Sequence, residues 1–565
     1  MSVAEKNPSP DILEARERRT CPSLSLLTAI LLTLLIAGFH FYFLLHAGGF
    51  WRDEVNLLNV ANHHSLAEMT RDSFPVLMPL LVKFACALGL ESDDIYLRLL
   101  GTVIGLGSVA ALWLAAWTAR RSPPLVSLAL FGLNSTVISF GDSLRPYGLG
   151  SLLIAFTLAA AWWFLKKTSW PRAAVVAALA VLSVQALYHN AVLIAAIGLG
   201  AAVVCARRKD WLAVVKILTA GAAAAISLLP YVPNFVGGKD SNAVLRTGIS
   251  WPRFFGDLTT DLGFPWRQYV FVWGLLALLA VVCAVLALRH NLPAGDQPAA
   301  ALPPEEVNLF AGTTLLLAAG GFLFFLWLTE MPGQPWYFLP IMVLAAICFE
   351  AVISTLPGWT RCVLLAGVIA TVVISFPVVR RDLDYRFTNI DSWSRSLTAE
   401  APREDFILVV PWFCGITFDH YFKNATPWDT IPPLTDHSTH RYDLVRDAIQ
   451  QTNVMQPVLE KTAATLQSGH RVWLLAPVGA LKIPAPETPP PAGLPPAPLP
   501  GSGWADEPYA VVWSSQAMQF LSSHSRSFGV VNNPNASPHI AENMELFRAE
   551  GWKNSSAPEA SPNAK

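Results

Sequence analysis

The sequence predicts a polytopic α-helical membrane protein with an extracytoplasmic α/β domain at its C-terminus. Of its 565 residues, 53% are hydrophobic and only 14% are charged. The mean hydropathy is +0.43, which is too apolar for an ordinary soluble protein. About eleven apolar stretches approach the length that a helix needs to cross the hydrocarbon core. After Arg380 the chain becomes polar and mixed, which indicates a folded domain outside the membrane.

The predicted spans follow one another closely as far as Arg380. They are residues 24–47, 98–119, 123–140, 143–165, 172–188, 190–206, 212–231, 268–288, 308–328, 337–356 and 361–378. The first is expected to remain as an uncleaved anchor, because no small-residue cleavage site follows it. We therefore expect a helical domain over 24–380.

The positive charges predict how the chain is oriented. Short loops that collect lysine and arginine usually lie in the cytoplasm. Every second short loop is basic, beginning with the tail 1–23. These basic loops contain Arg120-Arg121, Lys166-Lys167 with Arg172, Arg207 to Lys209, Arg289 and Arg361. We therefore expect a multi-pass protein of the inner (plasma) membrane, surrounded by membrane lipids, with a cytoplasmic N-terminus and residues 381–550 outside.

The first outside loop, 48–97, is expected to contain two interfacial helices, near 55–64 and 76–90. The second of these is apolar but short, begins near Pro75 and Pro79 and contains Lys83, so it is expected to lie along the membrane surface. The aromatic residues of the loop 231–267 predict another interfacial helix, and we expect this loop to bind the substrate.

Alternating apolar runs predict the C-terminal α/β domain. The expected strands are 406–411, 471–476 and 510–513, and the expected helices are 442–451 and 456–468. A Pro-rich insertion, 483–501, is expected to be extended, and the tail 551–565 to be disordered.

Several function classes are disfavoured. The net charge of −1 and the lack of a basic, aromatic-interleaved patch argue against a nucleic-acid partner. The cysteine spacing matches neither a disulfide framework nor a metal cluster. A Gly-rich phosphate loop is also absent from the sequence, which disfavours a nucleotide-driven pump.

The most informative residues are Asp53 and Glu54, directly after the first span. A charged side chain at the boundary of the bilayer is energetically costly, so its presence there indicates a functional role. An acid at a helix start also stabilises the helix dipole, so capping and catalysis are both open from these two residues alone.

Three further polar sites interrupt the outer ends of helices. Asp142, Arg145 and Tyr147 follow the third span, where Asp142 could simply cap a turn, but an arginine in an outside loop could hold an anionic group. His189 could be an interfacial residue, a ligand or a base. The pair Trp336 and Tyr337 could belong to an aromatic belt or bind substrate.

These features together resemble the GT-C superfamily of glycosyltransferases, over about residues 24–380. The resemblance lies in the acidic pair Asp53-Glu54 after the first membrane helix, the long first outside loop, the Arg145-Pro146-Tyr147 element in the second, and the soluble outside domain. The chain looks most like the protein O-mannosyltransferase-related group, which includes aminoarabinose transferases that modify lipid A.

The resemblance implies transfer of a sugar from a polyprenyl-phosphate carrier to an acceptor hydroxyl on the outer membrane face, with inversion. Asp53 would be the general base and Glu54 would support it or bind a cation. Arg145 and Tyr147 would bind the donor phosphate. Asp142, His189, Trp336 and Tyr337 would contact substrate.

Departures from the family pattern leave the donor sugar and the acceptor open, whether lipid, glycan or protein. Residues 72–77 replace the Glu-Lys-Pro-Pro element of aminoarabinose transferases, and Phe50-Trp51-Arg52 precedes Asp53 where mannosyltransferases have a His-Phe-Asp-Glu form. A divalent metal could bind Asp53, Glu54 and Asp142, although relatives without a metal also exist.

Two other classes stay open, a transporter or flippase for a lipid-linked saccharide and a non-catalytic envelope assembly protein. A transporter would favour charges at mid-membrane and related halves of the sequence, and neither is evident. The histidines and aspartates of 419–443 fit no zinc pattern, so we expect them to dock the acceptor or form a lid. The glycosyltransferase hypothesis further requires Asp53 and Arg145 to face one pocket.

Overall fold

The structure is a computed structural model that describes residues 10–70, 74–233, 250–289, 302–329, 334–357, 360–479, 493–498, 504–532 and 539–553. Its internal contacts divide the chain into two units. The helical unit comprises Met1–Leu45, Phe74–Tyr231 and Ile249–Leu383, and the mixed unit comprises His46–Ser73, Val232–Gly248 and Asp384–Lys565. The predicted first loop, 48–97, is therefore divided, because its first half folds with the C-terminal chain.

The helical unit confirms a polytopic α-helical membrane protein. Within the described residues, nine helices are long and apolar enough to cross a membrane. They are Leu24–His46, Asp94–Arg120, Pro146–Lys166, Asn190–Arg207, Trp211–Tyr231, Tyr269–Ala287, Pro304–Thr329, Pro335–Ile353 and Thr360–Asp382. The first lies within a longer helix, Pro10–His46.

Two of the predicted spans take other forms, which corrects the expected count. The stretch 123–140 is broken into Leu125–Ser127, a π-helical turn at Leu128–Gly132 and the short helix Ser135–Gly141. The break is stabilised by Asn134, whose Oδ1 accepts the N–H of Thr136 at 2.9 Å and so starts a new helix. The stretch 172–188 forms Trp170–Ala186, a helix of 17 residues.

Shorter helices occur where the sequence predicted interfacial ones. They are Arg52–His63, Leu77–Ala87 and Trp251–Leu262. Trp251 and Phe255 are exposed on the last of these, as expected for a helix at a membrane surface. Residues 234–249 of the same loop lie outside the described residues.

The mixed unit is built on a five-stranded sheet. The described residues of this unit contain seven strands, which are β1 (Arg386–Thr388), β2 (Phe406–Val409), β3 (Trp428–Thr430), β4 (Val472–Pro477), β5 (Ser525–Val531), β6 (His539–Glu542) and β7 (Met544–Trp552). The sheet order is β3-β2-β4-β7-β5, and β1 pairs with β6 in a separate two-stranded sheet. The pairs β2–β3 and β2–β4 are parallel, whereas β7 is antiparallel to both of its neighbours.

Helices cover both faces of this sheet, so its central strands are buried on both sides. Leu408 and Leu474 pack into one core and Ile407 and Trp473 into the other, as the alternation of side chains along a strand requires. The covering helices are Ile390–Glu400, Cys414–Tyr421, Tyr442–Ile449, Gln456–Gln467 and Glu507–His524.

The predicted strand 510–513 is wrong, because these residues lie inside the helix Glu507–His524. Ala510, Trp513, Ala517 and Leu521 are buried while Val511 is exposed, a spacing of three to four residues that belongs to a helix. The predicted disordered tail is also corrected at its start, since β7 extends through Trp552. Residues 1–9, 554–565 and most of the Pro-rich insertion lie outside the described residues.

Candidate functional site

The two neighbouring acids occupy the first turn of the helix Arg52–His63, here called the acidic helix. Glu54 is fully buried, and its Oε2 lies 3.4 Å from the backbone N of Trp51 just before the helix. This arrangement is half of a capping box, in which the third helical residue reaches back to the helix start. The capping interpretation therefore fits Glu54.

Asp53 faces a different environment, in which its side chain is 14% exposed. Its Oδ1 lies 3.1 Å from Nε2 of His440 and 3.8 Å from Nε of Arg52. A carboxylate placed in this way is shielded from bulk water and paired with a nitrogen donor.

His440 belongs to a loop, 436–441, that is attached to the acidic helix by its backbone. The N–H of His440 donates to Oδ1 of Asn56 at 2.9 Å, and Nδ2 of Asn59 donates to the carbonyl oxygen of Ser438 at 2.6 Å. We name this segment the histidine loop. The histidines and aspartates of this segment are evident in the sequence. Its contact with Asp53 was not predicted, because Asp53 lies 387 positions earlier in the chain.

Arg52 connects the start of the acidic helix to strand β6. Its backbone N–H donates to Oε1 of Glu542 at 3.0 Å, and its guanidinium lies 4.4 Å from the centre of the Phe413 ring. Burial raises the pKa of Glu542 to about 7, although Arg52 and the hydroxyl of Thr417 oppose this. Glu542 is a site residue that the sequence did not indicate.

In the helical unit, the predicted aromatic and cationic residues form one group, here called the aromatic cluster: Arg145, Tyr147, His189, Trp336 and Tyr337. The Arg145 guanidinium lies 5.7 Å from the ring centre of Tyr147. The Tyr147 ring is 6.2 Å from Trp336 and 5.8 Å from Tyr337, and His189 is 6.1 Å from Tyr337. Three separate parts of the chain therefore supply one cluster.

The local sequence explains why Arg145 lies directly before the start of a helix. It is the N-cap of the helix Pro146–Lys166, and proline is favoured at the first helical position because its missing N–H has no partner there. The guanidinium also lies 5.2 Å from the ring centre of Phe74. Arg145 is 8% exposed, so its charge is largely removed from water.

Asp142 is fully buried and pairs with a residue that the sequence did not indicate. Its two carboxylate oxygens lie 2.9 and 2.8 Å from Nδ1 of His40. The hypothesis of a divalent metal held by Asp53, Glu54 and Asp142 stays a prediction. In the part of the chain that the structure describes, no three histidine, cysteine, aspartate or glutamate side chains form a group that could hold a metal ion.

No protein-family model and no curated protein matches this sequence. Among solved structures, the chain is similar to an oligosaccharyltransferase from Archaeoglobus fulgidus in complex with zinc and sulfate, at 10% identity and a TM-score of 0.48, over 79% of this chain and 68% of that chain. It is similar to ArnT from Cupriavidus metallidurans bound to undecaprenyl phosphate, at 12% identity and a TM-score of 0.47, over 92% and 97%. It is also similar to the oligosaccharyltransferase AglB from Archaeoglobus fulgidus in complex with an inhibitory peptide and a dolichol-phosphate, at 10% identity and a TM-score of 0.45, over 94% and 75%.

Proposed function

We propose that this protein is a membrane glycosyltransferase. It transfers a hexose or pentose from a polyprenyl-phosphate donor to a hydroxyl of a lipid, glycan or protein acceptor, with inversion, at the outer face of the inner membrane. The observation that carries the proposal is the aromatic cluster, because an arginine and four ring-bearing residues far apart in sequence come together in the folded chain.

The aromatic cluster has the chemistry that a lipid-phosphate donor needs. The guanidinium of Arg145 binds phosphate oxygens as a planar set of donors, and the start of the helix Pro146–Lys166 adds a partial positive charge. The rings of Trp336 and Tyr337 supply apolar faces, with a polar atom at one edge, for a sugar or an isoprenoid chain.

Asp53 supplies the base of the reaction. Its carboxylate takes the proton of the acceptor hydroxyl while the acceptor oxygen bonds to the anomeric carbon and the bond from that carbon to the phosphate oxygen breaks. The lipid phosphate leaves with the bonding electron pair and needs no proton, since positive charge and hydrogen bonds stabilise it.

The variant Asp53→Asn tests the base. The assay uses purified protein, a panel of synthetic undecaprenyl-phosphate hexoses and pentoses, and a cell-envelope extract as acceptor, with release of undecaprenyl phosphate measured by chromatography. Lipid-linked saccharides that accumulate in a deletion strain are identified by mass spectrometry, and they narrow the panel of donors. We expect kcat to fall by roughly 10²- to 10⁴-fold, the usual contribution of general base catalysis.

Glu54→Gln is the matched control, because glutamine also reaches back to the helix start and keeps the size of the fully buried Glu54 side chain. It should keep most of the wild-type kcat. Wild-type activity in Asp53→Asn would remove the base assignment. Movement of the intact donor across a liposome membrane without bond cleavage would instead identify a transporter.

A further inference from the structure

We infer that His440 is a positioning residue for Asp53, which holds the carboxylate in one orientation during sugar transfer. The inference rests on the proposed function. It assigns to the C-terminal chain a part in the reaction in addition to acceptor docking or forming a lid, since the histidine loop supplies a hydrogen-bond donor to the base.

The hydrogen-bond partners determine which ring nitrogen carries the proton. A carboxylate only accepts, so Nε2 of His440 must donate to Oδ1 of Asp53 across their 3.1 Å separation. Nδ1 is buried and has no hydrogen-bond partner within the described residues. A proton on Nδ1 in place of Nε2 would therefore be a buried donor without an acceptor, which is costly. The favoured form is the Nε2–H tautomer, which donates a hydrogen bond and leaves the negative charge on Asp53.

The imidazole ring is held on two sides. It stacks on Tyr442 at 5.7 Å between ring centres with an interplanar angle of 12°, and it meets Trp412 edge-on at 6.2 Å and 87°. Packed rings of this kind leave little freedom for rotation about the side-chain bonds. The direction of the Nε2–H bond is consequently well defined.

The backbone of the histidine loop is fixed as well. His440 and Ser438 bond to Asn56 and Asn59 of the same helix that carries Asp53. The following residue, Arg441, binds the carboxylates of both Asp436 and Asp443. Both ends of the Asp53–His440 hydrogen bond are thus attached to one element, which keeps its length constant.

The orientation of a base changes the free energy of the transition state more than it changes the affinity for substrate. We therefore expect His440→Ala to lower kcat by about 10- to 100-fold and to leave the KM for the donor nearly unchanged. His440→Gln should recover most of the lost kcat, because its amide can donate to Asp53 but cannot shuttle a proton. His470→Ala is the control, since His470 lies outside residues 419–443 and its backbone N–H, which alanine keeps, donates to the carbonyl oxygen of Thr465. It should behave as wild type.

The double variant Asp53→Asn with His440→Ala should be no slower than Asp53→Asn alone, because a positioning residue has no effect once its base is gone. All variants are compared by thermal unfolding, and kcat is measured on the folded fraction. Loss of activity in His440→Gln equal to that in His440→Ala would overturn the inference by making His440 a proton carrier. Wild-type kcat in His440→Ala would also overturn it. So would a double variant in which the losses of kcat from the two single substitutions add. Failure of the proposed function would appear separately, in the wild-type protein, as movement of the intact donor across the membrane without release of undecaprenyl phosphate.

Discussion

At the scale of single residues, two adjacent carboxylates have different environments. Successive residues on a helix point about 100° apart, so Asp53 and Glu54 cannot share a partner easily. Glu54 reaches back to the helix start, whereas Asp53 turns towards His440. The sequence does not distinguish the two acids. Their different positions around the helix make Glu54 a helix cap and Asp53 a candidate base.

Glu542 gives a prediction for pH dependence. Its pKa is raised by burial from 4.5 to about 7, so between these values the folded protein holds a proton that the unfolded chain has released. The free energy of unfolding should therefore fall as the pH rises through this window. Glu542→Gln removes the ionisation, so relative to wild type the variant should gain roughly 1–3 kcal/mol between pH 5 and pH 8.

The measurement is unfolding of the detergent-solubilised protein at a series of pH values, followed by tryptophan fluorescence. Parallel pH curves for wild type and Glu542→Gln would contradict the raised pKa. Glu545→Gln, on strand β7, is the control, because that carboxylate is not held at the acidic helix.

At the scale of elements, close packing of helices positions the loop that carries Arg145. A Cβ on Gly148 would overlap the carbonyl oxygen of Gly141, and a Cβ on Gly101 would overlap that of Asp142. Larger side chains at these two positions are excluded by backbone atoms, which cannot move aside as a flexible side chain would. Gly148 allows the chain on either side of residues 142–145 to approach closely, and Gly101 allows Asp142 to approach the helix Asp94–Arg120.

Gly148→Ala should therefore destabilise the helical unit by about 1–3 kcal/mol, as overpacking does, and weaken donor binding by moving Arg145. Gly198→Ala is the matched control, because a Cβ there meets nothing within 4 Å, and alanine favours a helix over glycine by roughly 1 kcal/mol. Thermal unfolding and the KM for the donor report the two effects. Equal stability of the two variants would contradict the close approach.

Sequence patterns gave most elements of this fold but not all of them. The helices near 442–451 and 456–468 and the strands near 406 and 471 were predicted from periodicity and form. The run 510–513 was misassigned because four apolar residues fit a strand or a helix equally well. The broken span at 123–140 was missed, because a polar cap such as Asn134 is a weak signal within an apolar stretch.

At the scale of the whole molecule, the orientation in the membrane stays a prediction from the basic loops. Lys167→Cys and Ser523→Cys test it in a Cys362→Ser background, since Lys167 and Ser523 are exposed and Cys362 is an exposed native thiol. A membrane-impermeant maleimide applied to intact spheroplasts should label Cys at 523 at once and Cys at 167 only after permeabilisation.

Labelling of position 523 only after permeabilisation would place the mixed unit, and Asp53 with it, in the cytoplasm. That result would contradict transfer at the outer face. The prediction that Asp53 and Arg145 face one pocket also remains to be tested, and covalent cross-linking of cysteines placed beside them would measure it.

The sequence by itself determined the membrane class, the positions of most spans, the acidic pair after the first span and the members of the aromatic cluster. Each of these depends on composition or on short-range periodicity, which a single stretch of chain contains. Tertiary structure alone decided that His440 faces Asp53, that His40 pairs with Asp142 and that Glu542 supports Arg52. These pairs join residues 387, 102 and 490 positions apart, and no local pattern records a contact that exists only once distant segments have packed.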